Sequence, residues 1–265
     1  GDLSSKLYAE GKKTDCDIIM ELENSYLEKI SDSLAVLKDV DFSVYEDGLV
    51  PESRRYVPMY KSGGAVIVNK KMLDEKNLPV PSSYDDLIKP EYKGLISMPN
   101  PKSSGTGYIF YLNRVNVLGE EKALEYFDRL KENISGAGFT TSGSGPVNAL
   151  KMGEAAIALG MTFQAVTEIN NGADYEILFF EDGSPYTVYS SAVISGKETD
   201  SDIMKVFEYL VSDVIPKDKE LFAPEKIYKN VDYTIKNYPT DIKYANMTGV
   251  DRITVKESLL DKWKY

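Results

Sequence analysis

The sequence contains no histidine, a single cysteine and fewer basic than acidic side chains. Without histidine, the chain cannot form a Ser-His-Asp or Cys-His catalytic group, or a histidine-ligated zinc or iron site. Its net charge of −11 opposes binding to nucleic acid and to anionic lipid surfaces. No stretch reaches the roughly 20 apolar residues that a membrane helix needs. These absences disfavour common hydrolases, nucleic-acid-binding proteins and membrane-spanning proteins.

The first residues and the cysteine leave the cellular compartment open. Gly1 to Ser4 show neither the basic region nor the apolar core of a signal peptide, so the chain is either cytosolic or has lost a leader. Cys16 cannot form an internal disulfide, and one isolated thiol is typical of a small buried apolar residue.

Serine-lysine chemistry is the remaining nucleophilic route, and the sequence offers it little support. No Ser-x-x-Lys occurs, so the serine of Gly143-Ser144-Gly145 has no base to activate it. Neither the phosphate-binding pattern Gly-x-x-x-x-Gly-Lys-Ser/Thr nor a dinucleotide-binding Gly-x-Gly-x-x-Gly is present. We therefore predict a protein that is not an enzyme. A hydrolase or phosphotransferase that uses the glycine-rich loops and a carboxylate is the alternative from another class.

Apolar runs alternate with helical patterns, which predicts an α/β fold with a mostly parallel sheet. Strands are predicted at residues 17–20, 65–68, 95–98, 155–159 and 175–180. Helices are predicted at residues 25–30, 84–88, 105–118, 120–134, 146–153 and 163–169, and from a cap near Thr199 or Ser201 through an apolar stripe that ends at Val211. If the chain forms two lobes, it crosses between them more than once, at the extended stretches 56–60 and 185–189.

Two segments share one design, with small hydroxyl residues and glycines next to a helix start. They are Ser103–Gly107 and Thr140–Pro146. Free backbone N–H groups and the positive end of the helix dipole favour an anion at such a place. The alternative interpretation is that these residues are ordinary helix caps and tight turns. All five arginines lie outside both segments, so a bound anion would depend on backbone amides.

These segments occur within a longer series of motifs that resembles a known family. In chain order the motifs are Pro81–Leu87, Lys89–Gly94, Asn100–Gly107, Thr141–Pro146, Met152–Gly160 and Phe180–Tyr186. The series is similar to the substrate-binding proteins of ABC importers, and most of all to the ferric-iron-binding type and its relatives that bind phosphonates and sugar phosphates. It covers roughly residues 3 to 265.

The resemblance implies a two-lobed class II periplasmic-binding-protein fold, α/β with mixed sheets and helices on both faces. Lobe 1 would comprise residues 1–60 and 188–228, and lobe 2 residues 61–187 and 229–265. Relatives carry a strand, a helix and another strand before the part matching Gly1 to Leu7, so we expect lobe 1 to lack that opening. A hinge would close both lobes over a ligand in the cleft between them.

The resemblance also implies partners and a location. The ligand would be a small anion, delivered to a permease and its ATPase, with no cofactor, no chemistry and no nucleic acid involved. The protein is then expected to be extracellular, as a cell-surface lipoprotein or in the periplasm. A lipid anchor lost with a leader would be its one attachment to a membrane.

The resemblance narrows the ligand to two classes. Iron-binding relatives carry adjacent tyrosines after the strand that matches Ala155 to Gly160, whereas this chain has Met161-Thr162-Phe163-Gln164 and no Tyr-Tyr pair. Phosphonate-binding and sugar-phosphate-binding relatives share the Ser-Gly-Ser pattern and a Phe near position 163. We therefore expect a phosphorylated or phosphonate-type anion, with ferric iron or a ferric complex as the alternative, and no metal-ligating residues are assigned.

The predicted ligand-binding residues come from four parts of the chain. They are Ser103, Ser104, Gly105, Thr106, Thr141, Ser142, Gly143, Ser144, Thr162, Phe163, Gln164, Glu21 and Tyr186. Glu21 follows the first strand and could pair with the amine of a zwitterionic ligand, although an isolated acid is more often solvated. Tyr60, Tyr186 and Tyr189 lie beside the predicted crossovers, where they would either form a wall of the site or simply pack.

Overall fold

The computed structural model describes residues 2–136 and 138–265. Gly1, the first residue of the stretch Gly1 to Leu7 before which relatives carry additional elements, lies outside the described residues. The strands are β1 (Ile18–Glu23), β2 (Tyr56–Asn69), β3 (Ile96–Ser97), β4 (Ile157–Met161), β5 (Tyr175–Leu178) and β6 (Tyr186–Val193). The α-helices are α1 (Asp2–Glu10), α2 (Asn24–Lys29), α3 (Lys70–Glu75), α4 (Gly105–Leu118), α5 (Glu120–Leu130), α6 (Gly145–Lys151), α7 (Thr162–Asn170), α8 (Ser201–Tyr209), α9 (Ile215–Leu221) and α10 (Ile253–Lys262). In this described part of the chain, no helix is both long and apolar enough to cross a membrane.

The chain divides into two compact units. The first comprises Gly1–Ser62, Thr187–Ile235 and Asp251–Thr254, and the second comprises Gly63–Tyr186, Lys236–Val250 and Val255–Tyr265. This division differs from the predicted lobes chiefly by placing residues 229–235 and 251–254 in the first unit. The aromatic ring of Tyr228 accounts for the first of these segments, since it packs against Tyr45 at 5.1 Å and against Tyr233 at 6.5 Å.

The predicted mostly parallel sheet is wrong. β1 pairs with β6, and β2 pairs with both β4 and β5, and all three pairs are antiparallel. β3 and β4 pair in parallel, with Ile96 opposite Ile157. The stretches predicted as crossovers belong to the long strands β2 and β6, which lie next to each other. Strand direction depends on how these distant segments pair, and the local apolar pattern carries no information about that pairing.

Both faces of the strands in the second unit are covered by helices. Along β2, Val66 and Val68 belong to one core cluster, and Ala65 and Ile67 belong to another. The first cluster contains α4 and α5, and the second contains residues of α6 and α7. This alternation follows from the two-residue period of a strand, which directs successive side chains to opposite faces. Because neither face is left to solvent, both sets of side chains are apolar.

Several predicted helices are correct and others are shorter than expected. α4 has the predicted bounds, whereas the helix predicted at 120–134 ends at Leu130 and continues only as a 3₁₀ turn. The helix predicted at 84–88 is a 3₁₀ turn at Asp86–Ile88. α8 is capped by Asp200, whose side chain accepts from the backbone of Asp202 and Ile203. Val206 lies within the predicted apolar stripe of this helix but is 60% exposed.

The segment Asp251–Thr254 is held in the first unit by buried polar groups. The Asn24 side chain donates to Asp251, and Asn24 in turn accepts from the Ser190 hydroxyl at 2.6 Å. Burial and the nearby carboxylates of Glu23 and Glu28 raise the pKa of Asp251 to about 6. One of its oxygens, Oδ1, is buried without a hydrogen-bond partner. The folded structure therefore favours the protonated, neutral form of the Asp251 carboxyl.

We predict that Asp251→Asn reduces the loss of stability that the protein shows as pH rises. The folded pKa of Asp251 lies above its ordinary value of 3.8, so the unfolded chain releases the proton first. Stability from this group is therefore complete below pH 4 and is lost as pH rises through about 6. Urea unfolding at pH 4 and at pH 7 should show that the variant gains roughly 2 kcal/mol over the natural protein at the higher pH only.

The control for this prediction is Asp47→Asn, which removes a carboxylate that is 94% exposed. It should change the free energy of unfolding by a similar small amount at both pH values, because an exposed charge interacts weakly with its surroundings. Equal pH slopes for the natural protein and Asp251→Asn would contradict the role given to Asp251.

Candidate functional site

Three loops of the second unit leave the strands at one edge. Because β3 and β4 are parallel, the segments that follow them emerge on the same side. The loop before α6 joins them through Thr140, which pairs in parallel with Pro99. Its backbone N–H donates to Met98 at 3.0 Å, and its carbonyl accepts from Asn100 at 2.8 Å. This arrangement is the one that open α/β sheets use for ligand loops.

The loops are in direct contact, and glycine is required where they meet. A Cβ added to Gly143 would lie 2.6 Å from Thr106 Oγ1 and 3.3 Å from Ser104 Oγ. A Cβ on Gly145 would lie 2.5 Å from Thr140. The distances of 2.5 and 2.6 Å are shorter than real Cβ contacts. A side chain at Gly143 would therefore clash with the opposite Gly/Ser/Thr segment, and one at Gly145 would clash within its own segment.

The beginnings of α4, α6 and α7 all lie at these loops. Ser104 caps α4, with its hydroxyl 3.5 Å from the N–H of Gly107. α7 starts at Thr162, directly after β4, and the Gln164 side chain donates to the Ser144 carbonyl at 3.4 Å. α4 is 14 residues long and α7 is nine, so both contribute a positive helix end.

Two polar atoms beside these helix starts are buried and unpaired. Thr162 has no exposed surface, and neither its Oγ1 nor Oε1 of Gln164 has a hydrogen-bond partner within the described residues. A buried hydroxyl or amide oxygen without a partner costs about 1–3 kcal/mol. A ligand that supplied the missing partner would remove this cost.

The remaining predicted residues of the second unit lie at or near the same loops, with one exception. The Ser142 and Ser144 hydroxyls are 3.3 Å apart, and Ser103 and Thr141 are exposed. Phe163 follows Thr162 in the first turn of α7 and is half-buried. Tyr186, at the start of β6, is half-buried and packs against the Tyr244 ring at 5.1 Å, at the margin of the second unit's core.

Nearby cations of the second unit are committed to other contacts. Lys102 donates to the backbone carbonyl of Trp263 at 2.8 Å. Arg114 is buried, pairs with Asp182 at 2.6 Å and lies 4.1 Å from the centre of the Tyr84 ring. An anion at the three loops would therefore be bound by backbone N–H groups and hydroxyls, as the sequence indicates.

Glu21 lies in the first unit, in a strained part of β1. Its φ is 61°, at the irregularity in the pairing of β1 with β6 between Ile19 and Leu22. Its carboxylate accepts a hydrogen bond of 2.7 Å from the hydroxyl of Tyr60, whose ring stacks on Tyr189 at 5.0 Å. Glu21 is thus exposed yet held in place, unlike a freely solvated acid.

The sequence left two alternatives for Tyr60 and Tyr189, a wall of the site or simple packing, and did not predict that they position Glu21. Burial, followed by the hydrogen bond to Glu21, raises the pKa of the Tyr60 phenol well above its ordinary range, so the phenol remains a donor. Sequence reasoning places both tyrosines in extended segments. It lacks any signal for the pairing of β6 with β1 that brings Tyr189 close to Glu21.

Among the described residues, no group of three or more cysteine, aspartate or glutamate side chains is arranged to hold a metal ion. Cys16 packs at the edge of the first unit's core, and burial raises the pKa of its thiol.

The comparisons with known proteins agree with this fold. The model of a family described as bacterial extracellular solute-binding proteins matches residues 18–223. An uncharacterized protein of Haemophilus influenzae is 31% identical over 117 residues, which cover 44% of this chain and 33% of that relative. This chain therefore aligns with only about a third of that relative's length.

Solved structures extend the similarity to almost the whole chain. The periplasmic binding protein AfuA of Actinobacillus pleuropneumoniae, solved with fructose-6-phosphate, has a TM-score of 0.84 at 20% identity, covering 99% of this chain and 86% of that one. Iron-bound HitA of Pseudomonas aeruginosa has a TM-score of 0.80 at 19% identity, covering 99% and 87%.

The protein belongs to the bacterial extracellular solute-binding proteins. Its fold is the mixed α/β fold of class II periplasmic binding proteins. Proteins of this family bind a solute and are not enzymes.

We predict that Gly143→Ala destabilises the second unit through its contact with Thr106. The new methyl group would lie 2.6 Å from Thr106 Oγ1, and such overpacking costs about 1–3 kcal/mol. Urea unfolding measures this cost. In a Thr106→Ala background the same substitution should cost at least 1 kcal/mol less, because the clashing oxygen is gone. Equal costs in both backgrounds would show that the loops are not in contact as described.

Proposed function

We propose that the three loops of the second unit bind a small anion with a phosphoryl or phosphonyl group, which the protein captures for an ABC importer. The observation that carries this proposal is the buried, unpaired hydroxyl of Thr162 at the start of α7, next to the loops that begin α4 and α6. A Thr hydroxyl can donate to an anionic oxygen, and hydrogen bonds to charged groups are the stronger ones.

The geometry of the group favours a tetrahedral anion. A phosphoryl group presents three terminal oxygens, so it can accept from three converging loops at once, whereas a carboxylate presents two. Helix N-termini and glycine-rich backbone bind such groups without a cationic side chain. The fold similarity to a protein solved with fructose-6-phosphate supports this assignment.

The family resemblance adds lobe closure to the proposal. A ligand shifts the protein towards a closed form only to the extent that it binds that form more tightly. The permease and ATPase of the importer are the partners that we propose for the closed form. The proposed location is extracellular or periplasmic.

The ligand class can be tested by thermal unfolding with inorganic phosphate, 2-aminoethylphosphonate, fructose 6-phosphate and ferric citrate. At about a hundred-fold excess over Kd, a specific ligand adds roughly 2.7 kcal/mol, which corresponds to a rise of about 5–10 °C for a chain of this size. We expect the rise with a phosphorus compound. A rise with ferric citrate alone, together with a visible charge-transfer band, would favour the iron-binding alternative instead.

The site itself can be tested with Thr162→Val, which replaces the unpaired hydroxyl by a methyl group of similar size. We expect affinity for the phosphorus ligand to fall about 10-fold to 100-fold, because a hydrogen bond to a charged group contributes about 1.5–3 kcal/mol. Stability without ligand should not fall, since the hydroxyl has no partner to lose.

A matched control is Thr187→Val in the first unit. Thr187 is 2% exposed, and its Oγ1 is also buried without a partner. The control should leave affinity unchanged. If both variants, or neither, weaken binding of the phosphorus ligand, Thr162 does not contact it.

A further inference from the structure

A cavity of about 690 Å³ lies entirely within the first unit, to which all its lining residues belong. Its volume is within the range of about 300–1,000 Å³ that is typical of small-molecule sites. It shares no residue with the three loops described above. The proposed anion therefore leaves this cavity without an assigned ligand.

Aromatic side chains form much of the cavity wall. Tyr45, Phe207, Tyr228 and Tyr233 all line it. The rings of Tyr45 and Tyr228 are 5.1 Å apart and inclined by 36°, and Phe207 is 1% exposed. Such a wall suits a flat apolar group, and the faces of its rings are also attractive to cations.

The charged groups of the wall are all acidic. Asp39, Asp41 and Glu208 line the cavity, and no lysine or arginine does so. None of the ion pairs found within residues 2–136 and 138–265 involves these three carboxylates. Hydrogen bonds from the side chain and backbone of Ser43 lower the pKa of the Asp41 carboxyl, so it remains ionised.

An irregular helical turn adds a further acceptor. Between α8 and α9 the chain forms a π-helical turn, Leu210–Val214, in which the Ile215 N–H donates to the Leu210 carbonyl. The next residue, Pro216, has no N–H to donate. The carbonyl of Val211 or Ser212, both lining residues, therefore lacks its helical donor. Turns of this kind are frequent at functional sites.

We propose that this cavity binds a small organic cation with an apolar aromatic body, of the arylalkylamine class. The ammonium group would interact with the carboxylates and the ring faces, and the aromatic body would lie against the tyrosines and Phe207. The cavity offers carboxylate acceptors and apolar surface but no cationic side chain, so it discriminates against anions of the same shape. This site is independent of the anion-binding loops in the second unit.

The test uses three indoles that differ mainly in charge: tryptamine as the cation, 3-methylindole as the neutral compound and indole-3-propionate as the anion. Isothermal titration calorimetry at pH 7.5 should show binding of tryptamine at least tenfold tighter than of the other two. Equal affinities for all three compounds would overturn the proposal. So would the absence of tryptamine binding at concentrations up to about 10 mM.

Variants assign the binding to this cavity. Asp41→Asn and Glu208→Gln should each weaken tryptamine binding about twofold to fivefold, and together about tenfold. Glu75→Gln, which removes an exposed carboxylate of the second unit, should leave it unchanged. Val211→Trp should fill the cavity and abolish binding, with circular dichroism verifying its fold. Unchanged affinity in the double variant would overturn the proposal.

The two sites can be separated experimentally. Thr162→Val should retain full tryptamine binding, and saturating fructose 6-phosphate should not displace tryptamine. Failure of the phosphorus ligands to bind leaves this proposal standing, while failure of tryptamine leaves the proposed anion site standing. Displacement of tryptamine by the sugar phosphate would overturn its assignment to a separate cavity.

Discussion

The parallel pairing of β3 with β4 is the contact on which the candidate anion site depends. It is only two residues long on the β3 side, with Ile96 opposite Ile157 and Ser97 opposite Ala158. Because the two strands run in the same direction, the loops that follow them emerge at one edge. Thr140 extends the same alignment to the third loop. In the antiparallel arrangement that dominates the other described pairs, these loops would leave at opposite ends.

Close packing at this edge then limits what the loops can contain. Gly143 is required because Thr106 of the opposite segment occupies the space of a side chain, and Gly145 is required because Thr140 of its own segment does so. Thr162, at the start of α7, is fully buried, and its hydroxyl has no partner in the described structure. Specificity for an anion without any arginine or lysine is consistent with this geometry, since backbone N–H groups approach closely only where side chains are small.

The two units differ in the chemistry that they offer. The second unit presents helix N-termini and hydroxyls, which are donors. The first unit presents carboxylates and tyrosine rings, both in the cavity between α8 and Tyr228 and at Glu21 in the strained part of β1. A net charge of −11 is therefore compatible with anion capture. The hydrogen-bond donors at the three loops act on an anion at short range, whereas the net charge is spread over the whole protein.

The sequence by itself determined the absence of histidine chemistry, the two Gly/Ser/Thr segments, the bounds of α4 and the order of motifs typical of solute-binding proteins. These features are local or compositional, so they can be read without knowing which segments meet. Tertiary structure decided the strand directions, the contact of Gly143 with Thr106, the isolation of the Thr162 hydroxyl and the packing of Tyr186 against Tyr244. Each of these depends on pairing between residues distant in the chain, and the same local pattern is compatible with more than one such pairing.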